Sequence, residues 1–402
     1  DENTVLNWDD GNLYYVVDQF GDAERRDELK EPFSPQTSFV IDGFAYEEMG
    51  SPDISTLEAL KDALKQAREK FGTSFALYDG RIAEASSDSS MGQTINRLMG
   101  GQNLCSIQPD GTVRLNFQDE EYYRAAKYIN SLYLDGTFNP ENFTITSEQF
   151  KQLLEERQIF AYIGHNWAIL SGYEGGLDEG APYQLWDYPI AEGVDPKDVK
   201  LMDSYGNVGV NYATFINADT EYPDRAIGYM AFMLSDAGQI MVREGIDGLT
   251  YTLDGEGIPH PTELRREYER GPVDKLTKEL GMNNAKFAWF TSNWAYSLAR
   301  HLRIENEQPY YGPSLWTAKP YASWERLNVL SGIIVDTDLL AIRTQIFTLW
   351  NNALPSLYLA KTDAEFDAAY QKLISDARLL GLDTLESAYA ANYKKYYDRG
   401  IR

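Results

Sequence analysis

The chain has 402 residues, with 36 Lys and Arg against 62 Asp and Glu, a formal net charge of −26. Such a field repels nucleic acid and anionic lipid, and the length suits two domains better than one. Hydrophobic residues make up 43% and aromatics 13%, enough to fill a core, so global disorder is excluded.

Asp10-Gly11-Asn12 is a turn signal, and LYYVV from Leu13 to Val17 reads as a buried strand. A charged loop over 22–31 is extended by Pro32 and Pro35, and Ser38 to Ile41 reads as a second strand. Ser55 and Glu58 have the S-x-x-E spacing of a capping box. Leu57, Leu60, Leu64 and Phe71 then recur at helical spacing up to Gly72. Thr112 to Phe117 reads as a strand, and Asp119 to Leu134 as a helix stopped by Gly136. Thr146 and Gln149 form another capping box, opening a helix to about 156. Ile159 to Ile163 is a short apolar strand closed by Gly164. Gly209 to Ile216 is a strand candidate, and Pro223 suits the first position of a helix. That helix carries Ile227, Met230, Ala231 and Leu234 on one face. The C-terminal third is helical: Thr362 and Glu365 cap a helix with Phe366, Leu373 and Ile374. Asp383 and Glu386 open the last helix, which carries Leu385, Tyr389, Tyr393 and Tyr396. Alternating strands and helices argue α/β layers with substantially parallel sheets. There is no internal repeat and no single Pro/Gly/Ser-rich linker, so two domains would exchange the chain more than once.

Much chemistry is absent. Cys105 is the single cysteine, so no intrachain disulfide or cysteine-type zinc cluster can form. His165, His260 and His301 are far apart, and no H-E-x-x-H spacing occurs. There is no G-x-S-x-G, no P-loop and no G-x-G-x-x-G. Asp9 and Asp10 would serve a glycosidase only with a spatial partner, and read more plainly as a solvated turn. Asp254-Gly255-Glu256-Gly257 has calcium-loop residues out of register. No run of about 18 apolar residues is present to cross a membrane as a helix. DENTVLNWDD has no signal-peptide pattern, which leaves a mature, processed or truncated N-terminus open.

The aromatics carry more information. Trp167 lies in Gly164-His165-Asn166-Trp167, just past a short apolar strand. Strand ends are where open α/β sheets place ligands. Trp289 and Trp294 lie in KFAWFTSNWAY, and Trp316 and Trp324 in the Pro- and Gly-broken PYYGPSLWTAKPYASW. An aromatic face packs on the C–H face of a sugar while neighbouring Asn, His and Tyr take its hydroxyls. Each tryptophan also has a plainer reading as core or interface, and His165 and Asn166 as turn residues.

The order of segments resembles the extracellular solute-binding proteins, family 1, of carbohydrate ABC transporters. DGNLYYV at 10–16, SFVIDGFAYEEMGSPDISTLEALKDALKQAREKFG at 38–72 and LYLDGTFNPENFT at 132–144 are similar to successive segments of that family. FAYIGHNWA at 160–168 resembles its Gly-x-Trp segment with one residue more. EYPDRAIGYMAFMLSDAGQIMVREGIDGLTYTLDGEG at 221–257 resembles its Pro-x-x-Ala helix, Ser-Asp-x-Gly-Gln turn and Gly-Ile-x-Gly-x-x-Tyr stretch. FDAAYQKLISDARLLGLDTLESAYAANYKKYYD fits its C-terminal part.

The resemblance implies an α/β, two-lobe periplasmic-binding-protein-like fold with a hinge. Residues 1–42 and 205–275 would form the N-lobe, 46–200 and 310–402 the C-lobe, and 276–309 an inter-lobe, ligand-facing segment. The family's opening strands and helices and its lipidated cysteine have no counterpart here, so an incomplete N-lobe is expected. KQAREKFGTSFALYDG runs on without an Asp-x-Asn-x-Asn loop, so no metal is expected, and no cofactor. The implied function is non-enzymatic: a monomeric extracellular or periplasmic receptor captures an oligosaccharide by hinge closure and delivers it to an ABC permease. The full-length form would be tethered to the membrane as a lipoprotein. Trp167 is the expected stacking platform, with Asn166 and His165 as hydroxyl partners. Asp42, where the chain would cross between lobes, hints at neutral sugars. Tyr205, Trp289, Trp294 and Trp316 complete the ligand-binding candidates. The competing readings are a polysaccharide-active glycoside hydrolase or lyase, which needs facing carboxylates, and a receptor for peptides or another solute.

Overall fold

The computed structural model describes residues 16–17, 37–72, 90–165, 182–201, 213–235, 237–238, 241, 244–255, 257, 259–269, 278–280, 322–323 and 336–398. The chain divides into two compact units. One holds Asp1–Pro32 and Tyr205–Gly312, the other Phe33–Ser204 and Pro313–Arg402. The chain therefore passes between units after Pro32, after Ser204 and after Gly312.

The larger unit is built on β1 (Thr37–Asp42), a strand buried at every position. Its sequence TSFVID is apolar in a run rather than alternating, which suits a strand covered on both faces. Phe39 and Ile41 face the main core, while Val40 faces a second cluster with Phe150, Leu154, Ile159, Tyr162 and Tyr183. These pairings put residues 37–42 in this unit, not in the first lobe where the segment order assigns them. Asp42 caps α1 (Gly43–Glu48), its carboxylate accepting from the Ala45 N–H. Thr56, not Ser55, caps α2 (Leu57–Phe71), one residue later than the S-x-x-E spacing suggests. α2 buries Leu57, Leu60, Ala63, Leu64 and Ala67 and ends at Gly72, whose φ of 70° only glycine adopts freely.

α3 (Met91–Leu98) is buried at all eight residues, including Gln93, Thr94, Asn96 and Arg97. These polar groups bond to one another and to the following loop. Gln93 Nε2 donates to Asn116 at 3.2 Å, Asn116 returns a bond of 2.6 Å, and Arg97 donates to Asn103 at 3.0 Å. The strand read over Thr112–Phe117 is shorter and has a partner the sequence did not announce: β2 (Cys105–Ile107) forms a hairpin with β3 (Val113–Leu115), and a 3₁₀ turn follows at Asn116–Gln118. α4 (Glu120–Leu134) and α5 (Ser147–Glu155) come next, the latter with both bonds of the Thr146–Gln149 capping box. β4 (Ala161–His165) and β5 (Tyr183–Trp186) flank β1, both antiparallel to it.

Parallel layers do not form among the described residues. Every pairing of three or more residues is antiparallel. The parallel contacts are Lys200–Leu201 with Ala322–Ser323 and single bridges at Thr56–Ile190 and Asp247–Tyr251. β4 and β5 approach β1 from either side, and that choice depends on long-range packing rather than on element order.

In the smaller unit, Val16–Val17 pairs with Ala213–Thr214 and Tyr251–Leu253 with Pro259–Pro261. Its helices are α6 (Pro223–Leu234) and α7 (Glu263–Glu269), and Pro223 sits in the first turn of α6 as expected. Arg265 donates to buried Glu244 at 2.6 Å, and the Thr250 hydroxyl accepts from the Ile246 N–H while donating to the Glu244 carbonyl. Among the described residues, Met233 and Tyr251 are this unit's buried apolar side chains.

Three helices finish the larger unit: α8 (Thr337–Tyr358), α9 (Asp363–Leu379) and α10 (Leu382–Asp398). Asp336 and Thr362 cap the first two. Gly92 lets α3 approach α8 closely, since a Cβ there would collide with the Tyr358 hydroxyl. Glu386 turns inward from α10 and accepts from the Leu115 N–H at 2.8 Å and from the Gln118 amide.

Burial pushes the Glu386 carboxyl up to about 7, against the pull of those two donors and of Arg114; Asp383 adds to the rise. Between about pH 4.5 and 7 the folded state thus holds a proton that the unfolded state has released. Stability from this group is fully present below that window and is lost as pH rises through it. The urea midpoint of the larger unit is expected to fall from pH 5 to 7.5 and to fall less in Glu386→Gln, whose amide oxygen still accepts both bonds. An identical pH slope in the variant would reject this assignment.

Candidate functional site

β1 organises the region where the sequence places its ligand candidates. Thr37, at its start, pairs with His165, the last residue of β4. Phe39 pairs with both Ile163 and Trp186, the latter the last residue of β5. The C-terminal ends of β4 and β5 therefore leave the sheet together, beside the start of β1. That start lies four residues beyond the passage at Pro32–Phe33.

Packing explains the residues around this sheet end. Tyr162 and Gly164 share one face of β4, and the Tyr162 ring lies over Gly164, where a Cβ would collide with its hydroxyl. The glycine before His165 is thus a seat for an aromatic ring. Tyr188 is fully buried and donates its hydroxyl to the Thr37 carbonyl, with the Thr37 hydroxyl 3.2 Å away. This pins the start of β1. Burial pushes the Tyr188 phenol far above its ordinary range, so it stays a donor at any physiological pH. Trp186 turns into the unit and packs edge to face on Tyr46, ring centroids 5.0 Å apart. Sequence reasoning passed over Thr37, Trp186 and Tyr188. The aromatics of YQLWDY, three in six residues, were the available signal.

Asp42 stands at the other end of β1, five residues from Thr37, or about 16 Å at 3.3 Å per residue. Its carboxylate is occupied. Arg157 Nε donates to Oδ2 and Nη2 to Oδ1, both at 2.7 Å, and the Ala45 N–H donates to Oδ1 at 2.9 Å. The Arg157 guanidinium also sits 5.3 Å from the centroid of the exposed Phe44 ring. Arg157 has a φ of 53°, a left-handed conformation costing about 1 kcal/mol that the two-point pair offsets. Asp42 therefore holds the β4–β1–α1 corner together. The structure does not bring it to the His165 end of the sheet, and Arg157 compensates the negative charge that hinted at neutral sugars.

His165 is described as a strand residue only. Asn166, Trp167, Tyr205, Trp289, Trp294 and Trp316 lie outside the described residues, as do Asp9, Asp10, Trp324 and Glu256. The Asp254 carboxylate accepts from His260 Nε2 at 3.0 Å. Among the described residues no three His, Cys, Asp or Glu side chains are grouped to hold a metal ion, and no helix is long and apolar enough to cross a membrane.

No protein-family model matches the chain, and no curated protein sequence matches it. Solved structures do. A human-milk-oligosaccharide-binding, ABC-transporter-associated solute-binding protein from Bifidobacterium longum infantis is 15% identical, with a TM-score of 0.67; the match covers 98% of this chain and 79% of that one. The fold is that of periplasmic-binding-protein-like solute-binding proteins. The Streptococcus pneumoniae substrate-binding protein FusA, an EF-hand mutant in complex with fructo-nystose, matches at 12% identity and a TM-score of 0.64, covering 99% of this chain and 79% of its own. The alginate-binding protein AlgQ2 matches at 12% identity and 0.61, covering 98% and 77%. At these identities the likeness is one of fold, and it spans both units.

Proposed function

We propose that this protein is an extracytoplasmic substrate-binding protein that captures an oligosaccharide and delivers it to an ABC permease. The observation that carries this reading is the sheet end of β4: His165, which Asn166 and Trp167 follow in sequence, pairs there with Thr37, four residues beyond the passage of the chain at Pro32–Phe33. Support also comes from the fold, whose matched relatives bind human milk oligosaccharides, fructo-nystose and alginate. Fold alone does not name a ligand, so the site argument must stand beside it.

In this reading Trp167 is the stacking platform and Asn166 and His165 take sugar hydroxyls, with Tyr205, Trp289, Trp294 and Trp316 as further ligand-facing groups. Binding needs neither nucleophile nor metal, in keeping with one cysteine and three histidines in 402 residues. Three passages of the chain between two units suit closure about a hinge. The lobes are then 1–42 with 205–275 and 46–200 with 310–402, adjusted so that residues 33–42 belong with the second. The protein works as a monomer outside the cytoplasm, tethered as a lipoprotein.

Isothermal titration against a panel of neutral and acidic oligosaccharides tests the proposal. One class is expected to bind in the micromolar range or tighter. Trp167→Ala is expected to weaken it at least tenfold, equal to about 1.4 kcal/mol of lost stacking. No binding to any member, or unchanged affinity in Trp167→Ala, would sink the reading. Release of shorter sugars from a polysaccharide would favour the hydrolase instead.

A further inference from the structure

β5 stops short of the residue at which β1 begins. Its pairing with β1 runs from Tyr183 opposite Asp42 to Trp186 opposite Phe39, and the same register carried on would set Tyr188 opposite Thr37. The main chain does not carry on. The Tyr188 N–H donates to the Asp187 carboxylate at 3.1 Å. Ile190 N–H donates to the Ser55 carbonyl at 3.3 Å and Ala191 N–H to the Leu98 carbonyl at 3.0 Å, so the chain turns away from β1 towards α2 and α3. The Tyr188 side chain reaches back instead, and its hydroxyl donates to the Thr37 carbonyl. A side-chain donor thus stands at the corner of the sheet where a strand donor would have been.

Packing alone asks for no hydroxyl at position 188. The ring is fully buried, and a buried phenol costs free energy unless its hydroxyl is used. Here the hydroxyl meets residue 37 twice, at the carbonyl and at the side-chain oxygen. Burial raises the phenol, while Thr37 and the Arg97 guanidinium pull the other way. Arg97 is itself held by Asn103 at 3.0 Å and Thr94 at 3.3 Å, and a cation beside a phenol makes it a better donor. On its other side Thr37 pairs with His165, the last residue of β4. Strand ends open more readily than strand centres, so a bond that holds Thr37 also holds His165. We infer that Tyr188 is a positioning residue of the proposed sugar site: by holding Thr37 it fixes His165, which Asn166 and Trp167 follow in sequence. The inference rests on the sugar-binding reading and adds to it a residue that acts through another rather than on the ligand.

A pair of matched variants tests it. Tyr188→Phe keeps the ring and removes the donor. Tyr183→Phe is the control: Tyr183 is also buried and donates its hydroxyl to a carbonyl, that of Ile159 at 3.1 Å, but it stands opposite Asp42 at the far end of the sheet. The two variants are expected to lower the urea midpoint by similar amounts. Isothermal titration with the panel of neutral and acidic oligosaccharides is expected to separate them. Tyr188→Phe weakens the class that the wild type binds by at least about fivefold, the factor that one neutral hydrogen bond carries, and Tyr183→Phe by less than about twofold. Replacing Tyr188 by 4-aminophenylalanine, which puts an N–H donor back on the same ring, is expected to restore the affinity. Equal affinity in the wild type and Tyr188→Phe, an equal loss in both phenylalanine variants, or no recovery with the amino group would overturn the inference and leave the sugar-binding reading standing. A wild-type protein that binds no member of the panel would overturn both.

Discussion

Trp350→Ala is expected to destabilise the larger unit by about 3–5 kcal/mol, the range for deleting a fully buried large aromatic side chain. Trp350 lies on α8 with no exposed surface. Its ring meets Phe117 at 4.8 Å, Tyr122 at 5.3 Å and Phe347 at 6.2 Å between centroids, all edge to face. These partners come from the 3₁₀ turn, from α4 and from α8 itself, so one side chain joins the early and late parts of the unit. The indole N–H donates to the Tyr122 hydroxyl at 2.9 Å. Truncation would open a cavity and remove that donor at once. Trp350→Phe narrows the comparison, because it keeps most of the ring volume while losing the bond and part of the packing, together worth about 1–2 kcal/mol. Urea unfolding followed by far-ultraviolet circular dichroism reads both. A cost near 1 kcal/mol for the alanine variant would show that the cluster is not what binds α8 to α4.

The parts of this fold legible in the sequence are those governed by local chemistry. Capping residues with a helical apolar stripe located the starts of α2, α5 and α9 to within about two residues, whereas in α10 Asp383 lies inside the first turn and Glu386 turns away to Leu115 and Gln118. α3 was passed over although Ser90 caps it and Met91, Ile95 and Leu98 recur at i, i+4 and i+7; at eight residues its stripe is short, and its other positions, Gln93, Thr94, Asn96 and Arg97, are polar and buried in a network with a later loop. The sheets were misread for a related reason. Alternation of strand and helix along the chain suggested parallel crossovers, but β4 and β5 pair with β1 across more than a hundred residues, and their direction is a tertiary outcome. For α6 the helix was legible but its inward face was not: Ile227 and Ala231 of the expected stripe are exposed, and Ala226, Met230 and Met233 form the ridge that is covered. At the candidate site the strand read over Ile159–Ile163 was legible because it is short and apolar, but it begins at Ala161 and runs through Gly164 to His165 instead of stopping at the glycine. The role of Asp42 was not, because it is defined by Arg157, 115 positions away.

Asp42 and Arg157 give the second large effect, and they also separate structure from binding. Arg157→Ala is expected to cost about 3–5 kcal/mol, because it leaves a carboxylate that is 2% exposed with the Ala45 N–H donating to it and no cation beside it. Asp42→Ala is expected to cost less, about 2–3 kcal/mol. It removes the cap of α1 and the pair, but the freed guanidinium is already 42% exposed at the side chain and can turn to water. The order of the two costs is itself the test: were the pair an ordinary surface contact, both would fall below about 1 kcal/mol and in no fixed order. Oligosaccharide affinity is expected to change less than threefold in either variant at a temperature where both stay folded. The reason is distance along one strand. His165, the last residue of β4, pairs with Thr37, about 16 Å along β1 from Asp42. A tenfold loss of affinity in Asp42→Ala, with the fold intact, would put the acid back among the ligand groups and move the site to the α1 end of β1.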